Sequence, residues 1–290
     1  MNADSVLAGR TALLLRDPAR AAETVARLAG RGASAAVCRL IDFELPADTG
    51  VLDAGLRRLL AGEFDWLVLT SVNTARALEL RARALGLELR IPRNTRVAVV
   101  GEATARAVKA LGASVDFMPE HDHSARGMLA EWEELSSPPR AGKAHTAFMP
   151  QADIASPTLR DGFTASGWDA HIVIAYRTVQ APADPELALQ PPLPDPDLPH
   201  GSHTLARDQL PAAVDRLDAV FFTSPSTVDQ FLSLVPAPGA NLALVAIGDS
   251  TAARLRAHGL EPTATAGFPT PEGLIDAWEQ SLQPAQEPPT

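Results

Sequence analysis

The sequence predicts an α/β protein built from two doubly wound, flavodoxin-like parallel-sheet domains, one inserted in the other and joined by a two-stranded hinge. Three features point that way: the length, an alternation of short apolar runs with amphipathic segments, and an internal repeat. The 290 residues are about twice a usual domain length, so two cores can form. Strands that alternate with helices require parallel sheets covered by helices on both faces.

The elements follow in order. TALLL (11–15) is a strand, 19–31 carries a helical period, and ASAAVC (33–38) is a second strand. DWLVLT (65–70) leads into a helix over 73–86, RVAVVG (96–101) into 103–111, and SVDFM (114–118) into 124–135. AHTAFM (144–149) precedes a helix over 153–166, and DAHIVIAY (169–176) ends the series. DAVFFT (218–223), LALVAIG (242–248), a helix over 250–258, EPTATA (261–266) and a helix over 271–282 complete the chain. These strands fit two five-stranded sheets better than one wide sheet. Residues 181–203 are rich in proline and lack apolar period, which predicts an exposed connector, because proline removes donors and disfavours helix. The tail from Pro284 reads the same way.

The repeat carries the most information. Asp65-Trp-Leu-Val-Leu-Thr70-Ser71-Val-Asn73-Thr74 matches Asp218-Ala-Val-Phe-Phe-Thr223-Ser224-Pro-Ser226-Thr227. Val100-Gly101-Glu-Ala-Thr104-Ala105 matches Ile247-Gly248-Asp-Ser250-Thr251-Ala252, and Ser124-x-x-Gly127 matches Thr270-x-x-Gly273. A fainter echo aligns 13–37 with 147–173 on Gly32 and Gly167. Its first copy opens the chain, whereas its second follows the three motifs of the middle block. The N-terminal piece must therefore complete the C-terminal domain: residues 1–40 with 178–290 form one domain, and 44–173 form the inserted one. RLIDFEL (39–45) and IAYRTVQ (174–180) are the two crossing strands of the hinge.

Composition excludes several functions. No apolar run reaches the length of a membrane span, and Arg10 interrupts the N-terminal apolar stretch, unlike a secretory signal. One cysteine, Cys38, rules out an internal disulfide and a multi-cysteine metal site; the cytoplasm is the expected compartment. A net charge of −10 argues against nucleic acid, which needs a basic face, but says little about one arginine-lined cleft. Lys109 and Lys143 are the only lysines among 25 basic residues. Arginine holds carboxylates bidentately, although a GC-rich genome gives the same bias.

Each repeated motif follows a strand, where ligands bind in open α/β sheets. Thr70, Ser71, Thr223 and Ser224 end strands and open helices, and free N–H groups of a first turn favour an anion. Gly101 and Gly248 permit close backbone approach, with Thr104 and Thr251 one turn on. A single Ser or Thr at such a position is ordinarily only a helix cap; six, doubled on one sheet edge, point to a carboxylate- or phosphate-rich ligand facing two domains across a cleft. No phosphate-binding GxxxxGK[ST] loop or dinucleotide GxGxxG occurs after a strand. His121-Asp122-His123 lacks a second ligand cluster, so no metal is expected. Cys38, ending a buried strand, reads as core. Tyr176, the only tyrosine, sits on a hinge strand, as proton donor or as packing.

Together LLLRDP (13–18), TSVNTARAL (70–78), VVGEATARAVKALG (99–112), SARGML (124–129), AYRT (175–178), FFTSPSTVDQFL (221–232), AIGDSTAARLRAHGL (246–260) and PTPEGL (269–274) resemble the uroporphyrinogen-III synthase family over nearly the whole chain. The resemblance implies cofactor-free cyclisation of hydroxymethylbilane, an eight-carboxylate linear tetrapyrrole, with inversion of ring D and loss of water. It implies a monomer that holds substrate between its domains, with possible hand-over from hydroxymethylbilane synthase and no nucleic-acid or membrane partner. By position, Tyr176 assists departure of the ring-A hydroxyl. Arg16, Thr70, Ser71, Asn73, Gly101, Thr104, Ser124, Thr223, Ser224, Ser226, Gly248, Ser250 and Thr251 are substrate-binding candidates. Where many relatives carry an arginine- and glycine-rich turn, this chain has Pro150-Gln151-Ala152-Asp153. A non-catalytic hinge protein binding an anionic tetrapyrrole is the competing expectation; a DNA-binding regulator is disfavoured by the acidic charge.

Overall fold

A computed structural model describes residues 5–136, 144–190 and 198–283. Eleven strands are assigned among the described residues, in two mainly parallel sheets. The chain divides into two compact units: Met1–Asp42 with Gln180–Pro182 and Pro192–Thr290 (unit 1), and Phe43–Val179 with Ala183–Pro191 (unit 2). None of the helices among the described residues is long and apolar enough to cross a membrane.

Unit 1 contains β1 (Thr11–Leu14), α1 (Pro18–Gly30), β2 (Ser34–Val37), β8 (His203–Thr204), α7 (Leu210–Ala213), β9 (Ala219–Phe222), α8 (Pro225–Leu234), β10 (Ala243–Ala246), α9 (Asp249–Ala257), β11 (Ala264–Thr265) and α10 (Pro271–Ser281). Its sheet runs in the order β11-β10-β9-β1-β2-β8. The strand residues alternate between two cores. Ala12, Leu14, Ala219, Phe221, Ala243 and Val245 pack on one face, while Leu13, Val220, Phe222, Leu244 and Ala246 pack on the other. That period of two with apolar residues on both sides is what a doubly covered parallel strand needs.

Unit 2 has the same logic. β4 (Trp66–Leu69), β5 (Arg96–Val99), β6 (Thr146–Ala152), β7 (Asp169–Gln180) and β3 (Ile41–Glu44) form a sheet in the order β3-β7-β6-β4-β5. Leu67, Leu69, Val97 and Val99 face one core; Trp66, Val68 and Ala98 face the other. The helices are α2 (Gly50–Leu60), α3 (Val72–Ala84), α4 (Glu102–Ala110), α5 (Ala125–Glu131) and α6 (Thr158–Ala165). Trp132, just past α5, meets Trp66, Phe163 and Trp168 edge-on and stacks on Phe117 at 4.9 Å.

The repeat has a structural basis beyond the motifs themselves. Asp65 and Asp218, which open the two long copies, each accept a backbone N–H from the start of the neighbouring strand, Thr146 and Thr11 respectively, both at 2.8 Å. The carboxylates thereby tie β4 to β6 and β9 to β1. The fainter echo is real in the backbone: Gly32 and Gly167 follow α1 and α6 with φ of 76° and 74°. A left-handed residue just after a helix end satisfies its last carbonyls, and glycine alone adopts it without strain.

Several expectations need correction. SVDFM (114–118) forms no assigned strand; it contributes one parallel bridge, Ala98↔Phe117, and the Phe117 ring stacks on Trp132. The helix expected over 124–135 ends at Glu131, and that expected over 153–166 begins at Thr158, since β6 runs on to Ala152. The sheets have six and five strands, not five each. The difference on unit 1 comes from the proline-rich segment, whose described part is exposed at many positions but pairs with the sheets at two places. Leu189, only 5% exposed, donates its N–H to Phe43 at 2.9 Å, and Leu45 donates to Leu187 at 2.8 Å. Ala188 bridges Glu44 in antiparallel sense. Further on, β8 pairs in parallel with β2, matching Ala36 to His203 and Val37 to Thr204. Residues 191–197 and Pro284 onward lie outside the described residues.

The apolar pattern leaves α2 without a sequence-based expectation. The helix buries Leu52, Leu56 and Leu59 and, on its flank, Asp53. Asp53 receives Arg81 of α3 bidentately, at 2.8 Å to each carboxylate oxygen. Arg81 holds the carboxyl below its ordinary range, against the opposing effect of burial. A depressed folded pKa stabilises above the unfolded value, near 3.9, and that contribution disappears as pH falls through the lower folded value. Asp53→Asn should therefore cost about 2 kcal/mol at pH 7, and in urea titrations the difference from the parent should shrink as pH falls below about 3.9 and vanish once the folded carboxyl is protonated.

Candidate functional site

In both units the repeated motifs lie at the carboxyl ends of strands, and each sheet has one point where the winding reverses. In unit 1 the chain leaves β1 towards β2 and leaves β9 towards β10, so the reversal lies between β1 and β9. Ligands of open α/β sheets bind in the crevice such a reversal leaves. A cavity of about 320 Å3 opens there, lined by Arg16, Thr24, Thr223, Ile247 and Pro269, among others. Arg16 lies two residues past the end of β1, and Asp17 caps α1 by accepting the Ala19 N–H at 3.0 Å. The Arg16 Nε is buried and has no hydrogen-bond partner. Burial and then the nearby charge of Arg20 push its pKa down, against the opposite pull of Asp17 and Glu23. An arginine keeps its charge regardless, so this cavity holds a desolvated cation that an anion would relieve.

The same edge carries the serines. Ser224 caps α8, its Oγ accepting the Thr227 N–H at 3.4 Å, and it lies 3.0 Å from the Ser226 Oγ. Ser226 is exposed. On the next loop Gly248 precedes α9 in extended backbone, and a Cβ built there would meet nothing within 4 Å. Thr251, one turn on, is 1% exposed, and its Oγ1 is buried without a partner; Ser250 is exposed.

Unit 2 reverses between β6 and β4. Thr70 and Ser71 follow β4, and Ser71 caps α3 by accepting the Asn73 N–H at 3.1 Å. Tyr176 of β7 is 6% exposed. Its ring is core, packed edge-on against Phe43 at 5.7 Å. Burial pushes the phenol pKa up; hydrogen bonds from Ser71 and Asn73 oppose this, while Asp153 reinforces it. Three expected residues, Ser71, Asn73 and Tyr176, are thus brought together. Gly101 opens α4 in extended backbone, as Gly248 does in unit 1, and Thr104 is buried.

The third motif is different. Ser124 accepts the Gly127 N–H at 3.2 Å, and Thr270 accepts the Gly273 N–H at 3.1 Å. A Cβ on Gly127 would lie 1.8 Å from the Asp122 carbonyl oxygen, and one on Gly273 2.2 Å from that of Phe268. Both glycines are required because the preceding loop folds back over the helix start. The Ser124 oxygen caps its own helix, as those of Ser71 and Ser224 do, and its proton is left to donate. Gly273→Ala should cost about 2 kcal/mol even after the gain in helix propensity. Gly248→Ala should stay within about 0.5 kcal/mol of the parent. Thermal unfolding of the two variants measures the contrast.

The His121-Asp122-His123 loop also has a structural role. The Glu131 carboxylate accepts the backbone N–H groups of Glu120, His121 and Asp122 at 2.6, 3.3 and 3.2 Å, which holds its pKa down. Among the described residues no group of three or more His, Cys, Asp or Glu is placed to share a metal. Burial pushes the Cys38 thiol up to about 11, so it stays protonated. Thr24 joins the Arg16 cavity without a signal in the sequence, since a buried threonine inside a helix carries no distinguishing pattern, whereas Pro269 opens the PTPEGL motif.

Fold and site together define a doubly wound α/β protein that presents hydroxyls, helix starts and, at Arg16, a buried guanidinium nitrogen without a partner at the carboxyl edges of its sheets. The uroporphyrinogen-III synthase HemD family model matches residues 22–276, and the chain belongs to that family of cyclising lyases of haem biosynthesis. A protein of Methanothermobacter thermautotrophicus, provisionally named uroporphyrinogen-III synthase, is 28% identical over 253 residues, 84% of this chain and 88% of its own. The uroporphyrinogen-III synthase of Synechococcus elongatus is 29% identical over 118 residues, 40% of this chain and 43% of that protein. The fold is shared with a mutant uroporphyrinogen III synthase of Thermus thermophilus, with a TM-score of 0.61 at 18% identity over 94% of this chain and 99% of that one. It is shared too with the Helicobacter pylori enzyme, with a TM-score of 0.55 at 16% identity over 94% and 100%.

Proposed function

We propose that the protein cyclises hydroxymethylbilane to uroporphyrinogen III, inverting ring D and releasing one water, without a cofactor. The observation that carries this reading is the unpaired, buried Nε of Arg16 in a cavity at the winding reversal of unit 1. A substrate bearing eight carboxylates supplies the anion that this cavity lacks. Thr223, Ser224, Ser226, Ser250 and the free helix-start N–H groups beside Gly248 add donors for further carboxylates; Thr70, Gly101 and Thr104 do the same in unit 2.

The chemistry begins with breaking the C–O bond of the ring-A hydroxymethyl group. Tyr176 donates its proton to the departing oxygen, which leaves as water, and the pyrrole nitrogen of ring A stabilises the cation. The phenol is protonated at neutral pH, and burial, by raising its pKa, keeps it so while making it a weaker acid. Ring D attacks through its substituted α-carbon to give a spiro intermediate; the bond from that carbon to the ring-C methylene then breaks and re-forms at the free α-carbon of ring D, whose proton, lost on rearomatisation, restores the phenol. Folding a flexible chain for that attack is the larger task, because positioning contributes more than activation when the electrophile forms readily. The same reading makes the protein a cytoplasmic monomer that receives substrate from hydroxymethylbilane synthase.

Supplying enzymatically generated hydroxymethylbilane and separating the type I and type III isomers tests the reading. Type III product is expected. Type I alone, at the spontaneous rate, sinks it in favour of a non-catalytic tetrapyrrole-binding protein.

A further inference from the structure

Unit 1 holds a second, larger cavity of about 570 Å3, lined by Pro18, Arg39, Pro182, Thr204, Arg207 and Asp208, among others. It lies beyond the ends of β2 and β8, whereas the Arg16 cavity lies beyond β1 and β9. The residues just after the proline-rich segment build half of it, with Ala181 and Pro182 from the start of that segment. Leu205 donates its N–H to Val37 at 2.8 Å, extending the parallel pairing of β8 with β2. The chain then turns, with the Ala206 N–H bonded to the Gln209 side chain at 3.1 Å, and delivers Arg207 to the cavity.

The two arginines there differ in what already satisfies them. Arg39 is answered by Asp42 at 3.0 Å and by Asp17 at 3.6 Å. Arg207 has a buried Nε with no hydrogen-bond partner. The nearby Cys38 thiol is neutral, so it is no counter-ion. Asp208 is exposed, and water screens an exposed charge far better than a buried one. An uncompensated guanidinium donor away from water is costly unless an acceptor arrives.

We propose that this cavity is a second carboxylate subsite for the same polycarboxylate ligand. Arg207 holds the carboxylate, and Pro18 and Pro182 form apolar walls for the carbon skeleton that bears it. The proposal rests on the synthase reading for the identity of the ligand. One ligand with several carboxylates can engage Arg16 and Arg207 together, because Arg16 lines the first cavity and Pro18, two residues on, lines the second.

Fluorescence titration with uroporphyrin III, an octacarboxylate, tests binding, and steady-state turnover of hydroxymethylbilane is measured alongside it. Arg207→Ala should weaken uroporphyrin binding and raise KM by roughly tenfold, the loss of one charge-assisted contact, with a smaller change in kcat. Arg207→Lys should recover part of the loss, since it keeps the charge but not the fork. Asp208→Asn should tighten binding by about twofold, through removal of a screened like charge, and this variant serves if Arg207→Ala fails to fold. Type III product with Kd and KM unchanged in every variant overturns the subsite alone. Arg207-dependent binding with no type III product overturns the synthase reading and leaves the subsite standing. An absence of uroporphyrin binding to the parent protein overturns the subsite.

Discussion

Arg16→Ala raises KM for hydroxymethylbilane about a hundredfold while leaving the folded protein as stable as its parent or slightly more so. The magnitude follows from losing a guanidinium that can give a carboxylate two parallel N–H bonds away from water, where each charge-assisted bond is worth about 1.5–3 kcal/mol. The unusual half of the expectation concerns stability. A buried arginine normally supports the fold through a carboxylate, so its removal destabilises. The Arg16 Nε has no partner to lose, and burial already works against its charge. Its deletion therefore relieves a penalty rather than breaking a pair. Arg16→Lys keeps the charge without the planar fork and should lie between the two, about tenfold in KM. Thermal unfolding together with steady-state kinetics separates the cases: a large fall in melting temperature with unchanged KM would make Arg16 a packing residue.

The parts of this architecture that recur in sequence were legible because their causes are local. Leu13 and Leu14 face different cores, and so do Val220 and Phe221; a strand buried on both sides leaves an unbroken apolar run that marks it. Gly32 and Gly167 align because each needs a left-handed backbone after a helix. What escaped was set by distant packing. β8 has two residues and one neighbour, too short to leave any period. The cavity it completes could not be read from a proline-rich stretch whose composition signals only a lack of helix. Phe117 sits in a run of strand-like composition, yet its ring serves the Trp132 cluster. Ser124 and Thr270 share their spacing with ligand-binding hydroxyls, but loop carbonyls over Gly127 and Gly273 give that spacing a packing cause. Candidate binders and helix caps use the same residue types, so only the orphaned groups distinguish them. Of the hydroxyls in the two glycine loops, Thr251 is buried without a partner.

Tyr176→Phe is the sharpest separation of chemistry from structure available in this chain. The ring is retained, with its edge contact to Phe43, and only the hydroxyl is removed. Loss of its interactions with Ser71 and Asn73 should cost about 1 kcal/mol of stability, leaving the variant folded. Loss of a positioned proton donor should lower kcat by roughly a hundredfold with little effect on KM, because the phenol acts on the departing hydroxyl rather than on a carboxylate. The pH profile adds a second reading. Desolvation raises the phenol pKa above its ordinary value near 10, so the parent should keep its donor protonated throughout the neutral and mildly alkaline range. Any loss of kcat on the alkaline side should begin only above about pH 10 and should be absent from the variant. Spontaneous closure to the type I isomer runs in competition, so a slowed enzyme should also release a larger share of type I product. An undiminished kcat in Tyr176→Phe would mean that the departing oxygen takes its proton from water, and that the only tyrosine of the chain is there to fill the core beside Phe43.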